Sequence, residues 1–458
     1  MKRIDFEHGT ITGNILGAAL PMLVAQLLSL LYNIVDRIYI ARIPDVGTTA
    51  LGAVGLCFPI IVIITAFSNL FGSGGAPLFS ISRGGGDTKK AGQIMNTSFT
   101  MLCAGALVLM AAGLLFAAPI LKLFGASDAA LPYAYPYLMI YLLGTLPSMI
   151  ATGMNPFINA QGYSVAGMLS VAIGAVTNFL LDPLFIFVFH LGITGAALAT
   201  VLSQTLSALY VIRFLHRRAE YKVRLLRPAE WKSSLVEAKN IISLGTAGFI
   251  MQLTNSLVSI FCNNVLGATG GDVYISVMTI ISSVRQMVET PIYAINEGTS
   301  PILSYNYGAR RPDRVRKAIL TLALLILLYT AVMWSSIILA PRALIGIFSS
   351  DAALVADAIP SLKLYFAAFI FMDLQYIGQT VFKSLNKKKH AIFFSLLRKA
   401  VINAPLTVLL PLWMGITGVF AAEAVSQLIG GTVCILTMYF TVYRPMRGQA
   451  DHLPEERL

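Results

Sequence analysis

The chain has 458 residues, of which 57% are hydrophobic and only 12% are charged, and its mean hydropathy is +0.76. Soluble domains carry about 25% charged residues, so this composition excludes an ordinary soluble protein. It indicates a protein that crosses a membrane several times, with a formal net charge of +12.

Twelve apolar segments approach or exceed the about 20 residues that a helix needs to span a bilayer. They cover about residues 15–40, 50–82, 94–117, 134–158, 166–189, 193–216, 240–266, 275–307, 316–340, 360–385, 392–414 and 416–441. Two of them, 50–82 and 275–307, are too long for one straight span, so we expect tilt or an extension beyond the membrane. The predicted fold is an all-α polytopic membrane protein.

The first residues and the cysteines are the next features of the sequence. The first ten residues are polar and the first apolar segment is too long for the core of a signal peptide, so we expect no cleaved signal. The four cysteines all lie in apolar segments without metal-ligand spacing, and we expect them to be packing residues. They are Cys57, Cys103, Cys262 and Cys434.

The basic residues are distributed unevenly between the two sides of the predicted membrane. The side that holds both termini and every second loop carries 25 Lys and Arg residues, and the other side carries four. Basic loops stay in the cytoplasm, so both termini are predicted to be cytoplasmic. The same asymmetry explains the net charge without nucleic acid, and contact with anionic lipid headgroups is the expected use of the basic loops.

The sequence repeats itself with a shift of 223–226 residues. Gln26 matches Gln252 at a shift of 226, and Asp87 matches Asp313 in a second basic loop. Near the end of each half the motif Gly-Ile-Thr-Gly occurs, first at Gly192 and again 223 residues later. An ordered series of matches indicates a duplication.

Each half contains six spans, so the two halves enter the membrane in the same orientation. We therefore expect two six-helix lobes related by an axis along the membrane normal, with a cleft between them. The predicted boundaries are an N-terminal lobe at 1–216, a cytoplasmic linker at 217–239, a C-terminal lobe at 240–442 and a cytoplasmic tail at 443–458.

Two aspartates, Asp36 and Asp182, lie inside predicted spans. A carboxylate at the bilayer centre costs at least ~2.5–3.5 kcal/mol, so such a residue is by default a site for an ion, a proton or a substrate. Asn178 shares a helix face with Asp182, and Thr200 lies at a similar depth on the next span. At about 1.5 Å per residue, these groups lie ~5–11 Å from the outer boundary and can share one plane.

This set offers two carboxylates, an amide carbonyl and a hydroxyl, which are hard oxygen donors suited to Na⁺ or to a shared proton. Two carboxylates held close together cannot both ionise easily. Two alternatives stay open. Asp182 could cap a bend at Pro183, and Asp36 could pair with Arg37, although adjacent residues on a helix do not face each other.

Several motifs together resemble the multidrug and toxic compound extrusion (MATE) family, in particular its bacterial DinF/MepA-like branch. They are Asn33-Ile-Val-Asp36, Ala160-Gln-Gly162, Asn178-Phe-Leu-Leu-Asp-Pro183, Gly192-Ile-Thr-Gly-Ala-Ala-Leu-Ala-Thr200 and Glu297-Gly-Thr-Ser-Pro301 leading into Ser304-Tyr-Asn-Tyr-Gly-Ala309. The resemblance covers roughly residues 10–442. It implies twelve helices in two lobes, in the cytoplasmic membrane of a bacterium.

The resemblance also implies a function, which is efflux of lipophilic or cationic compounds driven by H⁺ or Na⁺. It places the coupling site, with Na⁺ as a possible metal, at Asp36, Asn178, Asp182 and Thr200, and it adds Asn155 nearby. It implies no cofactor beyond the coupling ion. We expect a monomer that contacts membrane lipids and small organic cations or amphiphiles.

The second half lacks this carboxylate pair, because Asp36 falls on Cys262 and Asp182 falls near Pro405. It carries buried charges of its own. Arg285 and Glu289 are spaced to pair with each other. Glu297 is predicted either to attract a cationic substrate or to pair with a basic residue such as Arg398.

Polar residues on spans expected to face the cleft are candidates for substrate binding. Alternatively, they bridge helices. The set is Gln26, Gln252, Asn255, Glu297, Asp373 and Gln375.

The sequence contains no P-loop, HExxH, CxxC or nucleophile-elbow motif, which argues against an enzyme and for secondary transport. The main alternative within the same superfamily is a flippase for lipid-linked oligosaccharides or lipids. A channel is less consistent with an ion site in one lobe only, and a scaffold or sensor is the alternative outside transport.

Overall fold

The computed structural model describes residues 3–44, 46–128, 130–348 and 351–450, and within these ranges the regular structure is helical. Helices satisfy their own backbone hydrogen bonds, which a bilayer requires of any open chain that crosses it. Residues 451–458 of the predicted cytoplasmic tail lie outside the described residues.

Seven α-helices form the first half of the described chain. They are α1 Ile11–Ala41, α2 Gly47–Gly84, α3 Thr88–Leu123, α4 Leu131–Leu143, α5 Thr145–Ala160, α6 Ser164–Pro183 and α7 Gly192–Arg217. A π-helical turn, Leu184–Val188, extends α6 beyond its proline.

Ten α-helices follow in the described second half, some of them segments of one span. They are α8 Trp231–Gly308, α9 Pro312–Leu339, α10 Pro341–Gly346, α11 Ala352–Tyr365, α12 Phe369–Ser384, α13 Lys388–Leu396, α14 Ala404–Leu409, α15 Pro411–Met414, α16 Thr417–Met438 and α17 Arg444–Ala450. A π-helical segment, Leu397–Asn403, joins α13 to α14, and another, Tyr439–Tyr443, joins α16 to α17. Helix α8 leaves the helical conformation at Gly271, which divides it into the two predicted spans.

Each of the twelve predicted apolar segments coincides with helix, which confirms the all-helical polytopic class. Two predicted spans are bent pairs of helices. Helices α4 and α5 meet at 55°, and α11 and α12 meet at 49°. In the described chain, nine helices are long and apolar enough to cross a membrane, or eleven when each bent pair counts as one span. The part of α8 after Gly271 is the predicted span outside this count, because it carries Arg285, Glu289 and Glu297.

The backbone repeats itself as the sequence does. Residues in the left-handed region recur in equivalent turns at shifts of 223–224 residues, where the chain must reverse direction before a new helix. The pairs are Gly86 and Arg310, Gly162 and Asn386, and Gly192 and Gly415. The turns of the two halves therefore share one geometry.

The described chain divides into two units. The first comprises Leu20–Phe249 and the residues before Phe6, and the second comprises Phe6–Ala19 and the chain from Ile250 onward. The segment Phe6–Ala19, which the sequence boundaries assign to the N-terminal lobe, thus groups with the second unit. Arg314 helps to hold it there, because its guanidinium donates to the carbonyl oxygens of Phe6 at 3.1 Å and Gly9 at 2.7 Å.

Helices of the first unit approach one another closely at glycines, as small residues permit between membrane helices. Gly72 of α2 faces Gly153 of α5, where a Cβ on Gly72 would lie 2.2 Å from the carbonyl oxygen of Gly153. Gly245 of α8 faces α2 in the same way, since its Cβ would lie 1.9 Å from the carbonyl oxygen of Leu70. Backbone cannot yield as a flexible side chain can, so both contacts require glycine.

We expect Gly245→Ala to destabilise the first unit by about 1–3 kcal/mol, because the new methyl group forces the two helices apart. Thermal unfolding of the detergent-solubilised protein, followed by size-exclusion chromatography, measures the effect. Gly248→Ala is the matched control, because a Cβ there meets nothing within 4 Å. Equal melting temperatures for the two variants would contradict the close contact.

Candidate functional site

Four of the predicted site residues meet inside the first unit. Asp36 comes from α1, Asn178 and Asp182 from α6, and Thr200 from α7. Asn178, Asp182 and Thr200 are buried, and Asp36 is half-buried. We call these four residues the acidic cluster.

Asn178 is the hydrogen-bond centre of the acidic cluster. Its Nδ2 donates to Asp182 Oδ1 at 3.2 Å and to Thr200 Oγ1 at 3.4 Å. The carboxyl groups of Asp36 and Asp182 interact with each other. Since two ionised carboxylates repel, a proton or another cation between them would stabilise the pair.

Three buried oxygen atoms of the acidic cluster receive no hydrogen bond from the described chain. They are Asp36 Oδ1, Asp182 Oδ2 and Asn178 Oδ1. A buried acceptor without a donor is destabilising by about 1–3 kcal/mol, and more when it is charged. A bound proton or a hard cation such as Na⁺ would supply the missing partner.

The contacts of the described residues show no backbone capping by Asp182 and no salt bridge between Asp36 and Arg37, although the charge of Arg37 acts on the Asp36 carboxyl group. Asp182 accepts from the side chain of Asn178, so its recorded partner is not a backbone N–H that it would cap. The guanidinium of Arg37 lies over the ring of Phe58, 5.9 Å from its centroid. The π-helical turn directly after Pro183 shows that the predicted irregularity exists beside the cluster, where such turns often accompany function.

Three tyrosines that the sequence did not single out surround Asp36. Tyr32 on α1 and Tyr137 and Tyr141 on α4 all interact electrostatically with its carboxyl group. The rings of Tyr137 and Tyr141 stack with centroids 6.3 Å apart, four residues along one helix. That i,i+4 spacing after a proline-containing start is a signal that sequence reasoning could have used.

Asn155 lies apart from the acidic cluster. Its amide donates to the carbonyl oxygen of Gly167 at 2.9 Å and to Ser170 Oγ at 2.7 Å, and its oxygen accepts from Asn159 at 2.9 Å. The bonds to Gly167 and Ser170 join α5 to α6, and the bond from Asn159 lies within α5, so these contacts of Asn155 are structural.

The second unit contains a buried cluster that sequence reasoning missed. Glu423 of α16 accepts from Arg398 Nη1 at 2.9 Å and from Lys399 Nζ at 3.0 and 2.9 Å. Asn403 and Gln427 donate to the same carboxylate at 2.5 and 3.3 Å. All five side chains are buried, and we call them the basic cluster. A glutamate within an apolar span is the signal that marked Asp36, and it marks Glu423 equally.

Glu297 faces a basic residue, which is one of its two predicted alternatives, but that residue is not Arg398. Arg398, proposed as its partner, is bound to Glu423 instead. Glu297 faces Lys383 at 4.0 Å, and 42% of its side chain is exposed. The predicted pair of Arg285 and Glu289 does form, with Nε and Oε1 2.7 Å apart.

The remaining candidates for substrate binding differ in their surroundings. Asp373 is buried, accepts from Thr330 Oγ1 at 2.5 Å and has one oxygen, Oδ1, without a donor. Gln375 is buried and donates to the carbonyl oxygen of Phe394 at 3.1 Å. Gln26 is exposed, whereas Gln252 and Asn255 are half-buried on α8.

Comparison with known proteins places this arrangement among transporters. The sequence model of the MatE family matches residues 21–184 and 248–409. The chain is 27% identical over 444 residues to the multidrug export protein MepA of Staphylococcus haemolyticus (strain JCSC1435), covering 96% of this chain and 94% of that protein. It is 25% identical over 441 residues to MepA of Staphylococcus aureus (strain NCTC 8325), covering 96% and 95%.

A solved structure shows the same fold. It is the outward-facing conformation of a multidrug resistance MATE family transporter of the MOP superfamily, with a TM-score of 0.89 and 21% identity. The match covers 98% of this chain and 99% of that one.

The two clusters should respond differently to loss of a carboxylate. Asp182→Asn removes a charge from a site that already lacks donors, so we expect a cost below about 1.5 kcal/mol. Glu423→Gln leaves Arg398 and Lys399 buried without their counter-ion, which should cost about 3–5 kcal/mol. Thermal unfolding in detergent compares the two variants. A larger drop in melting temperature for Asp182→Asn than for Glu423→Gln would contradict the hydrogen bonds assigned to both clusters.

Proposed function

Because the chain belongs to the MATE family of membrane transporters, which are not enzymes, we propose that it is a secondary active antiporter that exports lipophilic and cationic compounds. The inward flow of H⁺ or Na⁺ through the acidic cluster drives the export. The two relatives described above carry the name multidrug export protein. That name favours efflux over the flippase alternative.

One observation carries the coupling assignment. Asp36, Asp182 and Asn178 present three buried oxygen atoms without donors, around two carboxyl groups that interact with each other. A bound cation stabilises this arrangement, so its free energy depends on the ion concentration on the side of the membrane to which the site is open. An equilibrium that depends on occupancy is what an ion-coupled transporter needs in order to alternate between states.

The residues of the acidic cluster have separate roles in this scheme. Asp36 and Asp182 supply the charge that binds the ion. Asn178 holds Asp182 and Thr200 in place with its two hydrogen bonds and can offer its carbonyl oxygen to the ion. Thr200 supplies a hydroxyl oxygen. The tyrosines around Asp36 limit its contact with water.

The setting proposed for this activity is the cytoplasmic membrane of a bacterium, with both termini in the cytoplasm, as the basic loops indicate. The protein acts as a monomer. Small organic cations or amphiphiles are the substrates, and Gln26, Gln252, Asn255, Asp373, Gln375 and Glu297 are the candidate residues to orient them.

We expect Asp36→Asn and Asp182→Asn each to abolish ion-driven export, because a neutral amide cannot exchange a cation. Purified variants in proteoliposomes, with an imposed ion gradient and a fluorescent organic cation such as ethidium, measure this. Asp128→Asn, in an exposed loop, is the control for loss of a carboxylate. Full export activity of Asp36→Asn or Asp182→Asn, with normal yield and melting temperature, would refute the coupling role.

Separate gradients distinguish the two ions. Proteoliposomes with a Na⁺ gradient at uniform pH, and with a pH gradient at uniform Na⁺, should support export in one case and in the other give at most about a tenth of that rate. Export that needs neither gradient would exclude antiport altogether, and transport of labelled lipid without export of ethidium would favour the flippase.

A further inference from the structure

The acidic and basic clusters occupy equivalent places in the two duplicated halves. At a shift of 223 residues, Thr200 corresponds to Glu423 and Ser203 to Ser426. The structure repeats the same local bond, because Ser203 Oγ donates to the carbonyl oxygen of Thr200 and Ser426 Oγ to that of Glu423, both at 2.8 Å. Thr200 and Glu423 therefore occupy the same position on the sixth span of their halves.

The fifth spans correspond in the same way. Asn178 donates to Thr200 in the first unit, and Asn403 donates to Glu423 in the second. Each asparagine is hydrogen-bonded to the residue four positions later. Asn178 donates to Asp182, and Thr407 Oγ1 donates to Asn403 Oδ1 at 3.3 Å. The shift on this span is therefore 225, which replaces Pro405 by Thr407 as the counterpart of Asp182.

The first spans complete the match. Cys262, the counterpart of Asp36, interacts electrostatically with Glu423 and Lys399. The two halves carry different functional groups at equivalent backbone positions. The carboxylate and hydroxyl of the fifth and sixth spans have changed places, and the carboxylate of the first span has become a thiol.

The two clusters differ in that the second one contains the ammonium group of a lysine, Lys399. The neighbours match Gly174, whose Cβ would face Ser207, with Arg398, which packs against Gly430, the counterpart of Ser207 at a shift of 223. Lys399 follows directly after Arg398 within the π-helical segment. Lys399 Nζ lies 3.0 and 2.9 Å from the two oxygens of Glu423. The π-helical segment Leu397–Asn403 lets the consecutive side chains of Arg398 and Lys399 reach the same carboxylate. The first unit has Gly174 and Ala175 in this part of the helix, so it carries no basic side chain there.

We propose that the second unit contains a twin of the first unit's cation site, in which the ammonium group of Lys399 permanently occupies the position of the exchangeable ion. Of this pair of sites, only the acidic cluster then exchanges a cation with the surroundings, so the pair contributes one exchanged cation in each transport cycle. The comparison with an exchangeable ion rests on the proposed function, but the occupancy by Lys399 is tested without transport.

The charges around the basic cluster agree with this assignment. Arg285 and Glu289 interact electrostatically with Arg398, and Arg398 in turn with Asp373. With Lys399 and Glu423, the set contains three basic and three acidic groups. Removal of the lysine ammonium takes away the donor that lies against both oxygens of Glu423, and a small external cation can take its place.

The test is chemical rescue of the purified full-length variant Lys399→Ala, with n-propylammonium as the probe because it replaces the atoms that the substitution removes. We expect the variant to unfold at a lower temperature than the parent protein, and n-propylammonium to restore at least half of that loss. Neutral 1-propanol at the same concentration, with NaCl to match ionic strength, should restore less than a quarter. Equal rescue by the alcohol would overturn the proposal.

Two further variants test whether the probe binds Glu423 and whether it needs the cavity left by the lysine side chain. Lys399→Ala combined with Glu423→Gln should show no rescue, because the carboxylate that binds the cation is gone. Lys399→Met fills the cavity and should show none either. Rescue that persists in the double variant would place the probe elsewhere and overturn the proposal.

The converse substitution keeps the test informative if Lys399→Ala does not fold. Gly174→Lys should place an ammonium group against the acidic cluster and melt at a higher temperature than Gly174→Met, a neutral side chain of similar length. The difference should disappear when Asp36 and Asp182 are both asparagine. If Gly174→Lys melts no higher than Gly174→Met, the equivalence of the two sites is wrong.

These results are separable from those on export. Loss of export in Asp36→Asn bears on the acidic cluster alone, whereas rescue of Lys399→Ala bears on the basic cluster alone. Failure of one leaves the other standing.

Discussion

Charged and polar side chains inside a bilayer must find partners within the protein, because lipid offers none. This constraint organises both units of the chain. In the second unit Glu423 is surrounded by donors from Arg398, Lys399, Asn403 and Gln427. In the first unit the equivalent place holds two carboxyl groups whose outer oxygens lack donors. A site that stays unsatisfied after folding is one that can respond to an ion.

Local departures from the α-helix make both clusters possible. Pro183 ends the hydrogen-bond ladder of α6 and a π-helical turn follows it. The π-helical segment Leu397–Asn403 turns consecutive basic residues toward one partner. Because a π turn redirects side chains without ending the helix, the span can stay continuous across the membrane while its polar groups converge.

Much of the architecture could be predicted from the sequence, because hydropathy marks each span and the duplication orders them. Asp36, Asn178, Asp182 and Thr200 could be grouped by depth and helix face alone. The family resemblance alone suggested Asn155, and the sequence could not show that its amide bonds to Gly167 and Ser170. Pairing of Glu297 with a basic residue was one predicted alternative, but its identity as Lys383 could not be predicted, because spacing along one helix does not say which residue of another helix lies nearby.

The sequence by itself determined the helical class, the positions of the apolar segments, the repeat and the two intramembrane aspartates, because each can be read along the chain without knowing which helices are neighbours. Only the tertiary structure decided which charges meet. It paired Glu423 with Lys399, and it identified Asn403 and Thr407 as the counterparts of Asn178 and Asp182. The physical reason is that a π turn shifts the register by a residue or two, which hydropathy does not detect but a hydrogen bond of about 3 Å does.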